Sequence, residues 1–128
     1  MLEEISIPFK IDDVFKGLAE TTGILRYENG SILIEFQTKD SFIGFIQTGI
    51  KFIKISVESI AHIELKKKFF YTQIIIKPLS LLSLKELKGY NKPELILFIE
   101  KKYREEAQQF ISYINLLKAE SILNRIDG

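Results

Sequence analysis

The chain has 128 residues, enough for one domain with a sizeable core, and its 46% hydrophobic and 27% charged content is ordinary for a globular protein. A net charge of +1, from 18 Lys/Arg against 17 Asp/Glu, lacks the basic excess that displaces counterions from phosphates, so no nucleic-acid partner is expected. The absence of cysteine removes disulfides, thiolate zinc sites and cysteine nucleophiles.

The opening stretch, MLEEISIPFKIDD, is acidic and short in apolar run, unlike a signal or transit peptide. No apolar run approaches the roughly 20 residues of a spanning helix, so a cytoplasmic protein is expected. Residues 1–18 read as an N-terminal extension. Within it Ile5, Ile7, Phe9 and Ile11 alternate like a strand, and Pro8 predicts an edge position because proline cannot donate to a ladder. Asp12-Asp13 before Val14-Phe15-Lys16-Gly17 reads as a capped single helical turn.

Gly23 to Phe36 is a hairpin in which Asn29-Gly30 suits a two-residue I′ turn. Leu25 and Tyr27 share one face, as do Ile32, Ile34 and Phe36 opposite them. Phe42-Ile43-Gly44-Phe45-Ile46 reads as a strand with a glycine bulge, the alternative being a loop entering a membrane interface. Lys51 to Val57 alternates, placing Ile53, Ile55 and Val57 inward, and Glu58-Ser59 makes a corner. In the next strand Ala61, Ile63 and Leu65 are expected in the core, with His62 outward beside Glu64. Lys66-Lys67-Lys68 then forms a solvated hairpin tip.

Phe70 to Lys77 is a strand ended by Pro78, with at least one of Phe69 and Phe70 in the core and Tyr71 on the outer face. Leu79 to Lys88 is a weaker strand or irregular edge, Gly89 to Pro93 a loop, and Glu94 to Glu100 a strand. From Lys101 to Asn124 there is neither Gly nor Pro. Tyr103, Ala107, Phe110, Ile114 and Leu117 recur in steps of four and three, which predicts a helix over 101–124 with one apolar stripe.

About seven antiparallel strands followed by one long helix resemble the pleckstrin-homology-like superfold, in particular its GRAM-like and bacterial members. The resemblance rests on Gly23-Ile24-Leu25 through Ala107, on the strand and corner Ile53 to Ile60, and on the last strand running from Glu94 straight into the helix. It implies an α+β, mainly β, half-open barrel of two orthogonal sheets capped by the C-terminal helix, spanning 1–128 as a single domain. The family's phosphoinositide binders carry a Lys late in the first strand and a basic-x-Arg pair on the second. Here Arg26 is the only basic residue of the first hairpin, and none follows before Lys39. The resemblance therefore implies the fold without that ligand.

No catalytic, cofactor-binding or metal residue emerges, and no enzyme or cofactor is expected. His62 with Glu64 is too poor in ligands for a metal, and the glycine spacing matches neither a P-loop nor a dinucleotide fingerprint. The stronger signal is apolar residues where alternation predicts solvent: Ile24, Leu33, Phe52, Ile75, Ile96 and Phe98. A contiguous patch there marks an interface, unless residues 1–18 cover it through Ile5, Ile7 and Phe9. The expected contact residues are Lys66, Lys67, Lys68, Tyr71, Phe52, Ile75, Ile96 and Phe98. They point to a protein partner or self-association. The alternative is a peripheral lipid-binding module using the Lys66–Lys68 hairpin and Phe42–Ile46, with weak anionic-lipid contact.

Overall fold

Asn29 and Gly30 both lie at positive φ, +47° and +81°, as a I′ turn requires, and they close the hairpin foreseen around them. The computed structural model describes residues 4–40 and 49–127, so the Phe42–Ile46 segment lies outside the described residues. Strands β1 (Ser6–Val14), β2 (Ala19–Glu28), β3 (Ser31–Asp40) and β4 (Lys51–Ser56) pair antiparallel in sequence order. Alternation sends Ile7, Phe9, Ile11, Leu25, Ile32, Ile34, Phe36, Ile53 and Ile55 into the core.

The N-terminal segment differs from expectation. Instead of taking an edge position, or covering the outer face as the alternative had it, residues 6–14 form β1 inside the sheet, between β2 and β7 (Leu95–Glu100). Pro8 is tolerated there because β1 is paired with β2 along its length but with β7 only at Lys10↔Phe98. At Pro8 the strand is thus laddered on one side, as an edge strand would be. The helical turn expected at Val14–Gly17 is instead a left-handed reversal, with Phe15, Lys16 and Gly17 at φ +51°, +57° and +85°. Such backbone costs roughly 1–2 kcal/mol per non-glycine residue. It is held by a 2.8 Å hydrogen bond from the Phe15 amide to the Gly89 carbonyl and by the Lys92–Asp13 ion pair at 3.0 Å.

After a single 3₁₀ turn at Val57–Ser59, β5 (Ile60–Lys67) and β6 (Tyr71–Pro78) form the second hairpin, and β6 pairs with β7. A bulge between Ile60 and His62 exposes Ala61 and puts Ile60 in the core in its place, while Ile63 stays buried and Leu65 half-buried. Leu79–Lys88 carries a 3₁₀ turn at Leu81–Leu84 rather than a strand, with the Ser80 hydroxyl accepting from the Leu82 amide. Proline at 78 ends the ladder, and the chain then buries Leu84 and Leu87.

Among the described residues seven strands join one antiparallel sheet in the order β4-β3-β2-β1-β7-β6-β5, with β4 and β5 left as edges, so the barrel is not closed. One continuous sheet thus stands in place of the two expected, because β1 pairs with β7 at Lys10↔Phe98 and so links β4-β3-β2-β1 to β7-β6-β5. The open core is capped by helix α1 (Arg104–Asp127), which packs on β5 and on the Val57–Ser59 turn. Ala107, Phe110, Ile111 and Ile114 are buried, and Tyr103 and Leu117 pack beside them, as the stripe predicts. Lys118 Nζ donates to the Ala61 carbonyl at 3.2 Å, fastening the helix over the β5 bulge.

Candidate interaction surface

Pairing β1 with β7 at one position only leaves a wedge between the two halves of the sheet on the face away from the core. There an open groove of about 870 Å³ is lined by Pro8, Ile24, Ile50, Phe70, Tyr71 and Phe98, mostly apolar in character. Its floor is set by the pleat: Lys10 pairs with Thr22 on one side and Phe98 on the other, so these side chains share a face. The Tyr71 and Phe98 rings meet at 5.4 Å. Charged groups of both signs border the groove, Lys10 and Lys101 together with Asp12, Glu35 and Glu100. Gly23 lets β2 approach this closely, since a β-carbon there would strike the Glu35 carbonyl oxygen and sit 2.7 Å from the Phe9 ring.

The outer-face residues expected at a contact surface divide. Tyr71 and Phe98 are brought together in the groove. Phe52, 51% exposed, lies in a row of cross-strand partners running Pro8, Ile24, Glu35, Phe52, which extends the face toward the β4 edge. Ile96 and Leu33 are half-buried. Ile75 is a correction: it points to the outer face as expected, yet it is only 6% exposed and lies apart from the main core. Its strand is the centre of β5-β6-β7, so Glu64 and Ile96 flank it from both sides.

The second hairpin also differs from expectation. Lys66 and Lys67 are strand residues paired with Gln73 and Thr72, and the turn itself is Lys68–Tyr71, closed by the Lys68 amide donating to the Tyr71 carbonyl at 2.9 Å. Neither Phe69 nor Phe70 enters the core; they are 79% and 81% exposed. Because β6 begins only at Tyr71, both belong to the turn, where strand alternation does not apply. Their rings meet edge to face at 4.7 Å.

Arg104, which sequence reasoning passed over, fixes this turn. Its Nε donates to Thr72 Oγ1 at 2.7 Å, and its Nη2 donates to the carbonyls of Tyr71, at 3.1 Å, and Lys68. The signal was a cation in the first turn of a helix, where the dipole disfavours it. The fork of donors meets several acceptors at once, as an ammonium could not.

Around the turn, Lys66 pairs with Glu64 at 3.8 Å and Lys102 with Glu100 at 3.3 Å, which raises the pKa of Lys102. Lys67, Lys68 and Lys101 are exposed and form no ion pair among the described residues, and Lys101 Nζ stands 5.6 Å from the centre of the Phe69 ring.

No family model, curated protein or solved structure matches the chain. His62 lies outward as expected, its Nε2 3.1 Å from Glu64 Oε2, and lines no part of the groove. Among the described residues no group of three or more His, Asp or Glu side chains gathers to hold a metal, and no helix is long and apolar enough to cross a membrane.

Proposed function

We propose that this chain is a PH-like domain of the GRAM-like or bacterial kind, non-enzymatic and cytoplasmic, that serves as a protein-interaction module and associates with a second copy of itself. The strand order with its capping helix supports the PH-like reading. The observation that carries the functional reading is the open apolar groove between β1 and β7, on a face where alternation leaves Ile24, Phe52, Tyr71 and Phe98 facing outward. Both signs of charge border it, so the surface can meet a twofold-related copy of itself, as an isologous contact requires. A polar rim around an apolar floor is also the usual anatomy of a protein interface.

Light scattering across a concentration series tests this reading. The wild type is expected to show a dimer that Phe98→Glu returns to monomer, with the thermal midpoint of the variant nearly unchanged. A wild type that stays monomeric to millimolar concentration contradicts self-association. A separate observation, the two exposed phenylalanines of the Lys68–Tyr71 turn among unpaired lysines, favours lipid contact as a second activity.

A further inference from the structure

We infer that the Lys68–Tyr71 turn docks on an anionic membrane surface, with Phe69 and Phe70 entering the headgroup layer and Lys67, Lys68 and Lys101 meeting lipid phosphates. Two phenylalanine side chains, 79% and 81% exposed, stand together at the end of a hairpin. Leaving such rings in water is unfavourable, and nothing in the core claims them. The turn is also held in shape. Arg104 is bound to Thr72 and to two turn carbonyls, so the rings are presented from a fixed base.

Charge decides the occupant. Lys67 and Lys68 precede the rings in the chain and Lys101 Nζ stands over the Phe69 ring, all three without ion pairs among the described residues, whereas Lys66 and Lys102 are already paired with Glu64 and Glu100. Exposed apolar rings beside uncompensated cations fit a bilayer whose phosphates lie just above its acyl layer. Each lysine near an anionic surface strengthens binding by about fivefold. A single-stranded nucleic acid also offers phosphates, but bases need flat faces to stack upon. The two rings stand at 78° to each other, so they form no shared platform. Phe70 and Lys101 also line the groove, whereas Phe69, Lys67 and Lys68 stand outside it, so the tip of the turn rather than a headgroup pocket makes the contact.

Vesicle flotation of the full chain is the test, with neutral phosphatidylcholine vesicles and with vesicles containing phosphatidylserine. The wild type is expected to float with the anionic vesicles alone and to be released by high salt. Phe69→Ala/Phe70→Ala should weaken binding roughly tenfold or more with all lysines intact. Lys67→Glu/Lys68→Glu should abolish it. The chain has no tryptophan, so Phe70→Trp adds a clean probe whose emission should shift to the blue on anionic vesicles. Matched surface charge supplied by a polyphosphorylated lipid should give equal binding, and Phe98→Glu should leave flotation intact, because Phe69, Lys67 and Lys68 lie outside the groove. Absence of flotation overturns the inference. So does undiminished binding by the double-alanine variant, an unshifted Phe70→Trp spectrum, dependence on one headgroup, or tighter binding to a single-stranded oligonucleotide.

Discussion

A β-carbon on Gly23 would collide with the carbonyl oxygen of Glu35 in the neighbouring strand. The obstacle is backbone, so β2 and β3 must separate to admit it. Gly23→Ala is expected to destabilise the fold by about 1–3 kcal/mol, read from the midpoint of urea unfolding. Arg104 acts by a different route, joining the start of α1 to a turn far away in sequence. Arg104→Ala removes three charge-assisted hydrogen bonds, two of them exposed, and is expected to cost about 1–2 kcal/mol. Arg104→Lys should recover little of this, because one ammonium cannot reproduce the fork. Hydrogen exchange at the Lys68 amide, bonded within the turn, should quicken in both variants while β2 and β3 amides keep their protection. These residue-level features differ in legibility. Gly23 reads only as a glycine inside a strand until the register brings Glu35 against it. Phe69 and Phe70 depart from expectation because a period of two does not extend back beyond Tyr71, the first residue of β6.

At the level of elements, the capping helix and the segment before β7 carry the clearest consequences. Phe110 is fully buried on the stripe that closes the open core. Phe110→Ala should lose about 3–5 kcal/mol, visible as a large drop in the thermal midpoint. Tyr90 anchors the chain entering β7, donating its hydroxyl to the Glu94 carbonyl at 2.6 Å and accepting from the Ile96 amide at 3.1 Å. Burial raises its pKa above the ordinary 10.0, with the Ile96 bond opposing. The folded state therefore holds the phenol proton more tightly than the unfolded chain. The stabilisation is complete below pH 10 and fades as pH rises through the folded value. Thermal melts from pH 8 upward should fall more steeply above pH 10 in the wild type than in Tyr90→Phe. An equal decline in both would exclude Tyr90 as the cause.

The helix and the β2–β3 hairpin were legible because each carries a clear period: one apolar stripe from Tyr103 to Leu117, and alternation broken by Ile24 and Leu33 on the two sides of Asn29-Gly30. The place of β1 was not. Pro8 predicts an edge strand, and β1 is central instead: no local pattern reveals that its sparsely laddered side faces β7 rather than solvent. Ala61 was misplaced for a related reason, since a bulge shifts the inward set by one residue without leaving a mark in the sequence. Ile75 was assigned to the right face, and only the strand order reveals that neighbours on both sides shield it.

For the whole molecule, the seam between β1 and β7 links fold and proposed function. One residue pair holds the halves of the sheet together, and the wedge beside it becomes the groove. The sequence announces an apolar outer face, but the groove gathers residues from β1, β2, β3, β6 and β7, and that gathering needs the strand order. Tyr71 and Phe98 were therefore foreseeable as outward-facing, whereas Pro8 and Ile50 joined them only through topology. The Lys68–Tyr71 turn stands at one end of the same seam and lends Phe70 to the groove, so a copy bound in the groove and a bilayer met by the turn would share that residue.

The absence of cysteine allows a direct measurement at the groove. Thr22 lines the groove and is exposed, and Lys85 is exposed outside it. Thr22→Cys and Lys85→Cys, each the sole thiol in its chain, would be treated with a short bis-maleimide at equal concentration. Self-association through the groove predicts a covalent dimer from Thr22→Cys that appears rapidly and is suppressed by adding Phe98→Glu, with little from Lys85→Cys. Equal cross-linking at both positions, or none at Thr22→Cys, would contradict the groove as the contact surface.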